Sequence, residues 1–142
     1  MQKLVYLAHG WNLTINGAPL TEDVPAAWDY GPVYKELYDA LRRFGSGPVT
    51  SEIRAGEFGV GMFLDPPEAD EIVRARLSDR ERAVIDRVFS DYGKFHAFQL
   101  SALTHQDGTP WDQIYNRGDG RMSPIDNGRV KRRFIELANR PR

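Results

Sequence analysis

Three histidines, His9, His96 and His105, are the side chains of this 142-residue chain best suited to acid–base or metal chemistry. They do not stand at the spacing with which a helix or loop presents metal ligands. The chain has no cysteine, which excludes a thiolate nucleophile, a cysteine-ligated zinc finger and a disulfide framework. No glycine-rich loop followed by lysine is present to hold a phosphate. We therefore expect neither a metal site nor a cofactor.

His105 is the best candidate for a catalytic base, because His105-Gln106-Asp107 resembles half of a base and its orienting carboxylate. The nearest hydroxyls, however, do not lie in the strand-turn-helix context that exposes a nucleophile; they belong to Ser101, Thr104 and Thr109. We expect no enzymatic activity. The favoured interpretation is structural: His105 ties the end of a short helix to the turn at 108–110, with Trp111 packed beside it.

Length and charge narrow the function classes further. A chain of this size fits one domain with its own core. The formal net charge is −1, so the molecule as a whole is not an electrostatic binder of nucleic acid. No apolar run is long enough to span a membrane, and no signal peptide opens the chain. We expect a soluble cytoplasmic protein with no membrane partner.

The segment 27–38 is unusually aromatic and contains Gly31-Pro32. Proline fits the first position of a helix and Gly45 fits the position after the last turn, so the sequence predicts a helix between them. Its buried face would carry apolar residues at three- and four-residue steps, namely Val33, Leu37, Ala40, Leu41 and Phe44. Tyr34 falls one step off this face, and we expect it to be exposed. For Trp28 and Trp111 we favour the core.

The remaining pattern predicts a mainly α, compact, single-domain helical bundle over 1–142. A first helix lacks a capping residue, and Asn16-Gly17 favours a turn within a small β-hairpin near 18–28 that pairs 18–20 with 25–28. The stretch 45–65 is loop-rich or weakly β. The capping box Ser78 to Glu81 begins a long helix that ends at Gly93, and short helices follow at 98–104 and from Pro110.

Two helices carry explicit core predictions. In the helix after Ser78 the inward stripe is Val84, Ile85, Val88, Phe89 and Tyr92. Asp126 caps the last helix, whose inward residues are Val130, Phe134, Ile135 and Leu137.

Partner contact is predicted at two surfaces, since interface energy concentrates in tyrosine, tryptophan and arginine. The first comprises Tyr34, Tyr38, Arg42 and Arg43, and the second is the basic end of the chain with Arg129, Arg132 and Arg133. Charge on a terminal helix is more often simple solvation. An alternative is nucleic-acid binding by a helix-turn-helix over 79–104, although its second helix offers only Gln99, Ser101 and Thr104 to base edges.

Several blocks of the chain resemble, in the same order, those of the Panacea domain, the SocA-like antitoxin family of phages, prophages and bacterial toxin–antitoxin loci. The blocks are 3–11, 27–33, 77–78, 100–105 and 110–111, with Ile125 and 129–134 fitting the last helix. Trp28, Gly31, Pro32, His105 and Trp111 are the motif residues to which we assign a structural role.

The resemblance implies an antitoxin that neutralises a cognate protein toxin by direct binding, in one branch as an adaptor that presents the toxin to an ATP-dependent protease. Neither activity requires catalysis in this chain. Family members usually carry a further helix ahead of the first block, so we expect a misassigned start or a trimmed domain. The stretch 45–76 matches no family motif, and we expect it to contribute to toxin specificity.

Overall fold

A computed structural model describes residues 1–58 and 63–141. The chain divides into two compact units, one formed by Met1–Val33 with Leu77–Arg142 and the other by Tyr34–Arg76. Seven α-helices and one two-stranded antiparallel sheet lie in the described part of the chain. The predicted mainly α fold with a small β-hairpin is confirmed.

Helix α1, Gln2–Ile15, is the centre of the first unit and packs against both α4, Asp79–Tyr92, and α7, Asn127–Ala138. Its N-terminus has no side-chain cap, as predicted. Gly10 faces the Phe134 ring so closely that a Cβ at this position would overlap the ring. Tyr6 and Trp11 contact the same ring edge-on, with centroid separations of 6.1 Å and 5.2 Å. The absent side chain at Gly10 thus lets α1 and α7 approach.

The capping box of α4 is present, because Ser78 Oγ accepts a hydrogen bond from Glu81 N and Glu81 accepts one from Ser78 N. Gly93 ends the helix as predicted. Val84 and Val88 are buried, but Phe89 is 67% exposed, so its assignment to the core is wrong. Phe89 lies about 100° around the helix from Val88, which carries it off the side that contacts α1.

Two shorter helices precede α7: α5 is Ala97–Thr104 and α6 is Pro110–Tyr115. Asp126 caps α7 by accepting a hydrogen bond from Arg129 N at 2.8 Å, as predicted, and this bond lowers the pKa of the Asp126 carboxyl. Val130 and Phe134 are buried, whereas Ile135 is 39% exposed. The inward assignment of Ile135 is therefore wrong, because it lies one residue past the line that faces α1.

The β-hairpin joins β1, Ala26–Trp28, to β2, Gly31–Val33, with Ala27 opposite Pro32. The predicted pairing of 18–20 with 25–28 is wrong, as is the prediction that Pro32 starts a helix. A two-stranded sheet tolerates proline because each strand is an edge. Gly31 has a φ of 112°, which permits the chain to reverse immediately after Tyr30.

The second unit begins with α2, Lys35–Leu41, which is extended by a 3-10 turn over Arg42–Phe44. Gly45, with φ of 56°, follows as the predicted terminator. Beyond it lie a 3-10 turn at Ala55–Glu57, the short helix α3 at Pro66–Ala69 and one isolated bridge between Arg54 and Ile72. Residues 59–62 of the predicted loop-rich stretch lie outside the described residues.

His9 is a fully buried polar side chain that joins three parts of the first unit. Its Nδ1 accepts hydrogen bonds from Leu20 N at 3.2 Å and Thr21 N at 3.3 Å, while Nε2 lies 2.8 Å from Asn127 Oδ1. Backbone N–H groups only donate, so Nδ1 carries no proton and Nε2–H donates to Asn127. Burial lowers the pKa of His9.

The buried neutral His9 predicts a pH dependence of stability. As pH falls below the ordinary histidine value of 6.5, the unfolded chain takes up a proton that the folded chain refuses, so the free energy of unfolding should decrease. Urea unfolding between pH 7.5 and 5 measures this slope. At pH 6.5, where an ordinary histidine is half protonated, NMR should show the His9 imidazole mostly neutral. His96→Asn, which alters an exposed ring, should keep the slope. A His9 that titrates like a free histidine would contradict the assignment.

Candidate functional site

The β-hairpin is held by side chains from three helices. The carbonyl oxygens of alternate residues Trp28, Tyr30 and Pro32 each accept one hydrogen bond. The donors are Trp111 Nε1 of α6 at 2.6 Å, Ser101 Oγ of α5 at 2.6 Å and Lys3 Nζ of α1 at 2.7 Å. Because a buried polar group without a hydrogen bond is costly, the partly buried bonds to the Trp28 and Pro32 carbonyls hold the hairpin against the helices of its unit. The exposed bond from Ser101 to the Tyr30 carbonyl adds a third attachment.

The turn of the hairpin is fixed from the other side through Asp29. Its carboxylate accepts hydrogen bonds from Tyr115 Oη at 2.9 Å and Arg121 Nη2 at 2.7 Å. The bond to Asp29 raises the pKa of the Tyr115 phenol. Tyr115 in turn stacks on Trp111, with ring centroids 4.4 Å apart. Asp29 therefore has a structural role in positioning the turn.

The segment 122–125 lies alongside β1 and forms backbone hydrogen bonds with the hairpin region. Ala27 N donates to Ser123 O at 2.9 Å, and Met122 N donates to Ala27 O at 2.8 Å. Ile125 N donates to Pro25 O, and Ile125 itself is fully buried. The segment leading into α7 thus closes the first unit around β1.

Two large aromatic side chains project from this fixed framework into solvent. Tyr30, in the hairpin turn, is 80% exposed, and Phe98, on α5, is 85% exposed. Ser101 binds the Tyr30 carbonyl, and Phe98 lies one helical turn before Ser101 on the same side of α5. We call Asp29, Tyr30 and Phe98 the hairpin-tip surface. Exposed rings on rigid backbone are suited to protein contact.

The Ser101 hydroxyl of the same region bonds to the hairpin. Ser101 Oγ lies 3.4 Å from His105 Nδ1, but the hydroxyl donates to the Tyr30 carbonyl instead. In the described part of the chain no carboxylate is found to accept a hydrogen bond from His105, whose ring nitrogen lies near Ser101 instead, and none of the described acidic and histidine side chains cluster as metal ligands. His105 packs edge-on against Trp111 at 5.5 Å, as predicted. The arrangement positions the hairpin rather than a reacting bond.

His105 does not tie down the turn at 108–110. Asp112 accepts a hydrogen bond from Gly108 N at 2.8 Å, and Thr109 caps α6 by accepting one from Asp112 N. These local bonds are of the kind that aspartate and threonine form at helix starts. That part of the prediction for His105 is wrong.

The predicted surface on α2 is only partly exposed. Tyr34 is 2% exposed, so the expectation that it faces solvent is wrong. It precedes the helix in extended conformation, so helical periodicity from Val33 does not apply to it. Tyr38, Arg42 and Arg43 are exposed, and the Arg42 guanidinium lies 5.7 Å from the Tyr38 ring centroid.

The three predicted arginines of α7 have different environments. Arg129 pairs with Asp126 at 2.5 Å and Arg132 is exposed. Arg133 is only 15% exposed at its side chain and lies 3.9 Å from the Glu136 carboxylate. The family-motif residues to which we assign a structural role are mostly buried: Gly31, Pro32 and Trp111 are buried, and Trp28 is half-buried.

Sequence reasoning missed Lys3, Ser101 and Phe98. The sequence of α5 contained a clue to Phe98, because its apolar residues are not confined to one side of the helix; in the structure only Leu100 and Thr104 are buried. One apolar side of such a helix must face solvent or a partner. Nothing in the sequence indicates that Lys3 would reach a carbonyl of β2.

Residues 1–112 match the family described as antitoxin SocA-like, Panacea domain. The chain belongs to this family. It is 31% identical over 118 residues to Antitoxin SocA of Caulobacter vibrioides (strain NA1000 / CB15N), a match that covers 82% of this chain and 58% of that protein. No solved structure matches the chain significantly. The range matched to the Panacea domain includes Lys3, Ser101 and Trp111, the three residues that bind the hairpin carbonyls.

None of the described helices is both long and apolar enough to cross a membrane.

The surroundings of Gly31 and Gly17 predict that alanine destabilises the chain more at Gly31 than at Gly17. A Cβ at Gly31 would lie 3.0 Å from Lys3 Cε and 3.1 Å from Thr104 Oγ1, whereas a Cβ at Gly17, with φ of 73°, would have no neighbour within 4 Å. Both substitutions by alanine strain the backbone, but only Gly31→Ala also crowds its surroundings. We expect Gly31→Ala to reduce the free energy of unfolding by about 1–3 kcal/mol more than Gly17→Ala in urea unfolding. Equal losses would contradict the close packing of the hairpin.

The lowered pKa of Lys3 predicts that the free energy of unfolding increases in mildly alkaline solution. Burial lowers its pKa to about 8, from the ordinary value of 10.5. Between pH 8 and 10 the folded chain therefore releases a proton that the unfolded chain retains, and the free energy of unfolding should increase. Tyr115, whose pKa is raised, opposes this trend only near and above pH 10. Lys3→Met should abolish the increase and Lys131→Met, at an exposed site, should keep it; the reverse pattern would refute the assignment.

Proposed function

We propose that this chain is an antitoxin that neutralises a cognate protein toxin by direct stoichiometric binding, with the hairpin-tip surface as part of the contact. Membership of the SocA-like Panacea family supports the antitoxin role. The observation that carries the proposed contact is the pair of exposed rings, Tyr30 and Phe98, on a backbone fixed by side-chain hydrogen bonds.

Rigidity is what distinguishes this surface from other exposed apolar residues. Ordering a flexible loop on binding costs free energy, and a preformed surface avoids that cost. The Tyr30 carbonyl is bound by Ser101, and the neighbouring Asp29 is bound by Tyr115 and Arg121. Burial of two aromatic side chains from such a surface provides the kind of central contact that dominates protein interfaces.

Further contacts are proposed at the exposed residues of the two surfaces derived from the sequence. On α2 these are Tyr38, Arg42 and Arg43, and on α7 they are Arg132 and the partly exposed Arg129, whereas Arg133 is only 15% exposed at its side chain. Arg42 already pairs with Asp39 at 3.1 Å, so its contribution to binding would have to exceed the loss of that exposed pair. We rank both surfaces below the hairpin tip.

The alternative of a helix-turn-helix regulator is less well supported. Of the three polar side chains that α5 offered for base readout, Thr104 is buried and Ser101 binds the Tyr30 carbonyl. Gln99 Oε1 accepts a hydrogen bond from His96 N as part of a helix cap. A promoter fragment retarded by the chain with steep salt dependence would favour this alternative.

An adaptor role is a second part of the proposal and rests on the family resemblance alone. An adaptor shortens the half-life of the toxin in the presence of an ATP-dependent protease, whereas a purely stoichiometric antitoxin leaves it unchanged. A pulse-chase measurement of the toxin with and without this chain separates the two.

The hairpin-tip surface predicts the effect of two substitutions on toxin binding. The assay co-expresses the chain with a candidate protein toxin, sought first among the products of neighbouring genes, and measures growth rescue, followed by calorimetry of the purified pair. Tyr30→Ala and Phe98→Ala should each weaken binding by about 10- to 100-fold, as truncation of an interface aromatic does.

Phe89→Ala is the matched control, because Phe89 is also a large exposed ring in the same unit, but on α4. It should leave toxin affinity within about twofold of the unsubstituted chain. Unchanged circular dichroism and melting temperature would show that all three variants fold. If Tyr30→Ala and Phe98→Ala bind the toxin as Phe89→Ala does, the hairpin tip is not the contact.

A further inference from the structure

A cavity of about 140 Å³ lies in the first unit and is lined by residues of α1, α5 and α7, among others. Its floor is apolar and includes Leu7 of α1 and Phe134 of α7, which are 5% and 2% exposed. Leu103 of α5, 39% exposed, stands at its mouth. A buried apolar cavity of about 150 Å³ accepts a group the size of benzene. This one therefore has room for one large apolar side chain.

Two arginines of the C-terminal region line the same cavity. Arg133 is 15% exposed at its side chain, and its recorded ion pair, with Glu136, is long at 3.9 Å and joins it to a carboxylate that is 67% exposed. Arg140 is exposed, and no carboxylate of the described residues lies within ion-pair distance of it. None of the described lining residues is acidic. The cavity thus combines an apolar floor with two arginines: Arg133, whose ion pair with Glu136 is long, and Arg140, which has no ion pair with a described carboxylate.

We propose that this cavity binds a segment of a protein partner in which a leucine- or phenylalanine-sized side chain is followed by a carboxylate. The apolar side chain enters between α5 and α7 and contacts Leu103 and Phe134. The carboxylate pairs with Arg133, with Arg140 as a second donor. The partially buried guanidinium favours a carboxylate because its planar donors accommodate both oxygens.

The charge of the site selects this occupant over others. A purely apolar group would leave Arg133 desolvated without a close partner, which is costly. A basic segment would be repelled by two arginines. Identification of the partner segment as part of the toxin rests on the proposed antitoxin function, whereas the chemistry of the cavity does not. Leu103 of the cavity and Phe98 of the hairpin-tip surface both belong to α5.

The test uses a capped five-residue peptide with leucine followed by glutamate at its centre, and a control peptide in which glutamine replaces the glutamate. Titration into the ¹⁵N-labelled chain should give saturable NMR shifts around Leu7, Leu103 and Phe134. The glutamate peptide should bind about tenfold more tightly than the glutamine peptide, as expected for one charge-assisted hydrogen-bonded pair.

Arg133→Gln should remove most of the preference for the glutamate peptide, and Arg140→Gln, at an exposed residue, should reduce the preference to a smaller extent. Arg132→Gln is the matched control, because it removes the same charge from the exposed side of α7. It should keep the full preference. Absence of saturable shifts at the cavity, or equal binding of both peptides by the unsubstituted chain, overturns the proposal.

Toxin binding by the same variants separates this proposal from the proposed function. Weaker toxin binding by Arg133→Gln than by Arg132→Gln supports occupation of the cavity by the toxin. If the toxin binds both variants equally, the cavity is not its site, while the antitoxin function stands. If the unsubstituted chain binds no toxin, the antitoxin function fails and the peptide preference alone decides the chemistry of the cavity.

Discussion

Side-chain hydrogen bonds to three hairpin carbonyls are the constraint on which the first unit depends. A hairpin of two three-residue strands is too short to be stable alone. Here Trp28, Tyr30 and Pro32 are each held by a donor from a different helix, so the hairpin and the helices stabilise each other. The same bonds fix the backbone from which the exposed Tyr30 ring projects. Architecture and the proposed partner contact thus follow from one arrangement.

Local rules predicted the helices well and the hairpin poorly. The cap residues Ser78 and Asp126 and the terminator Gly93 depend on neighbours within four positions, and all three are in place. The predicted pairing partner of β1 is wrong because a proline such as Pro32 fits both a helix start and an edge strand. Only the distant donor Lys3 and the crowding at Gly31 favour the strand. The misplaced helix start then produced the wrong exposure for Tyr34.

The motif blocks identified the right region without revealing its geometry. Blocks separated by more than 70 residues meet where Trp111 binds the Trp28 carbonyl and Ser101 binds the Tyr30 carbonyl. Sequence spacing cannot report such contacts. Exposure of Phe98 and near-burial of Arg133 are likewise tertiary properties, since a helical pattern gives the side of a helix but not which neighbour covers it. His9 shows the same limit: its burial as a neutral ring depends on Leu20, Thr21 and Asn127.

Hydrogen exchange of the chain with and without its toxin tests the central claim most directly, because it reports which backbone amides a partner protects. On binding, the amides of 28–31 and of the exposed side of α5 should gain protection. In the free chain the amide of Ala27, which donates to Ser123 O, should already exchange slowly. Protection confined to α2 or to the outer side of α7 would contradict the proposed contact. Rapid exchange of the hairpin in the free chain would contradict its preformed rigidity.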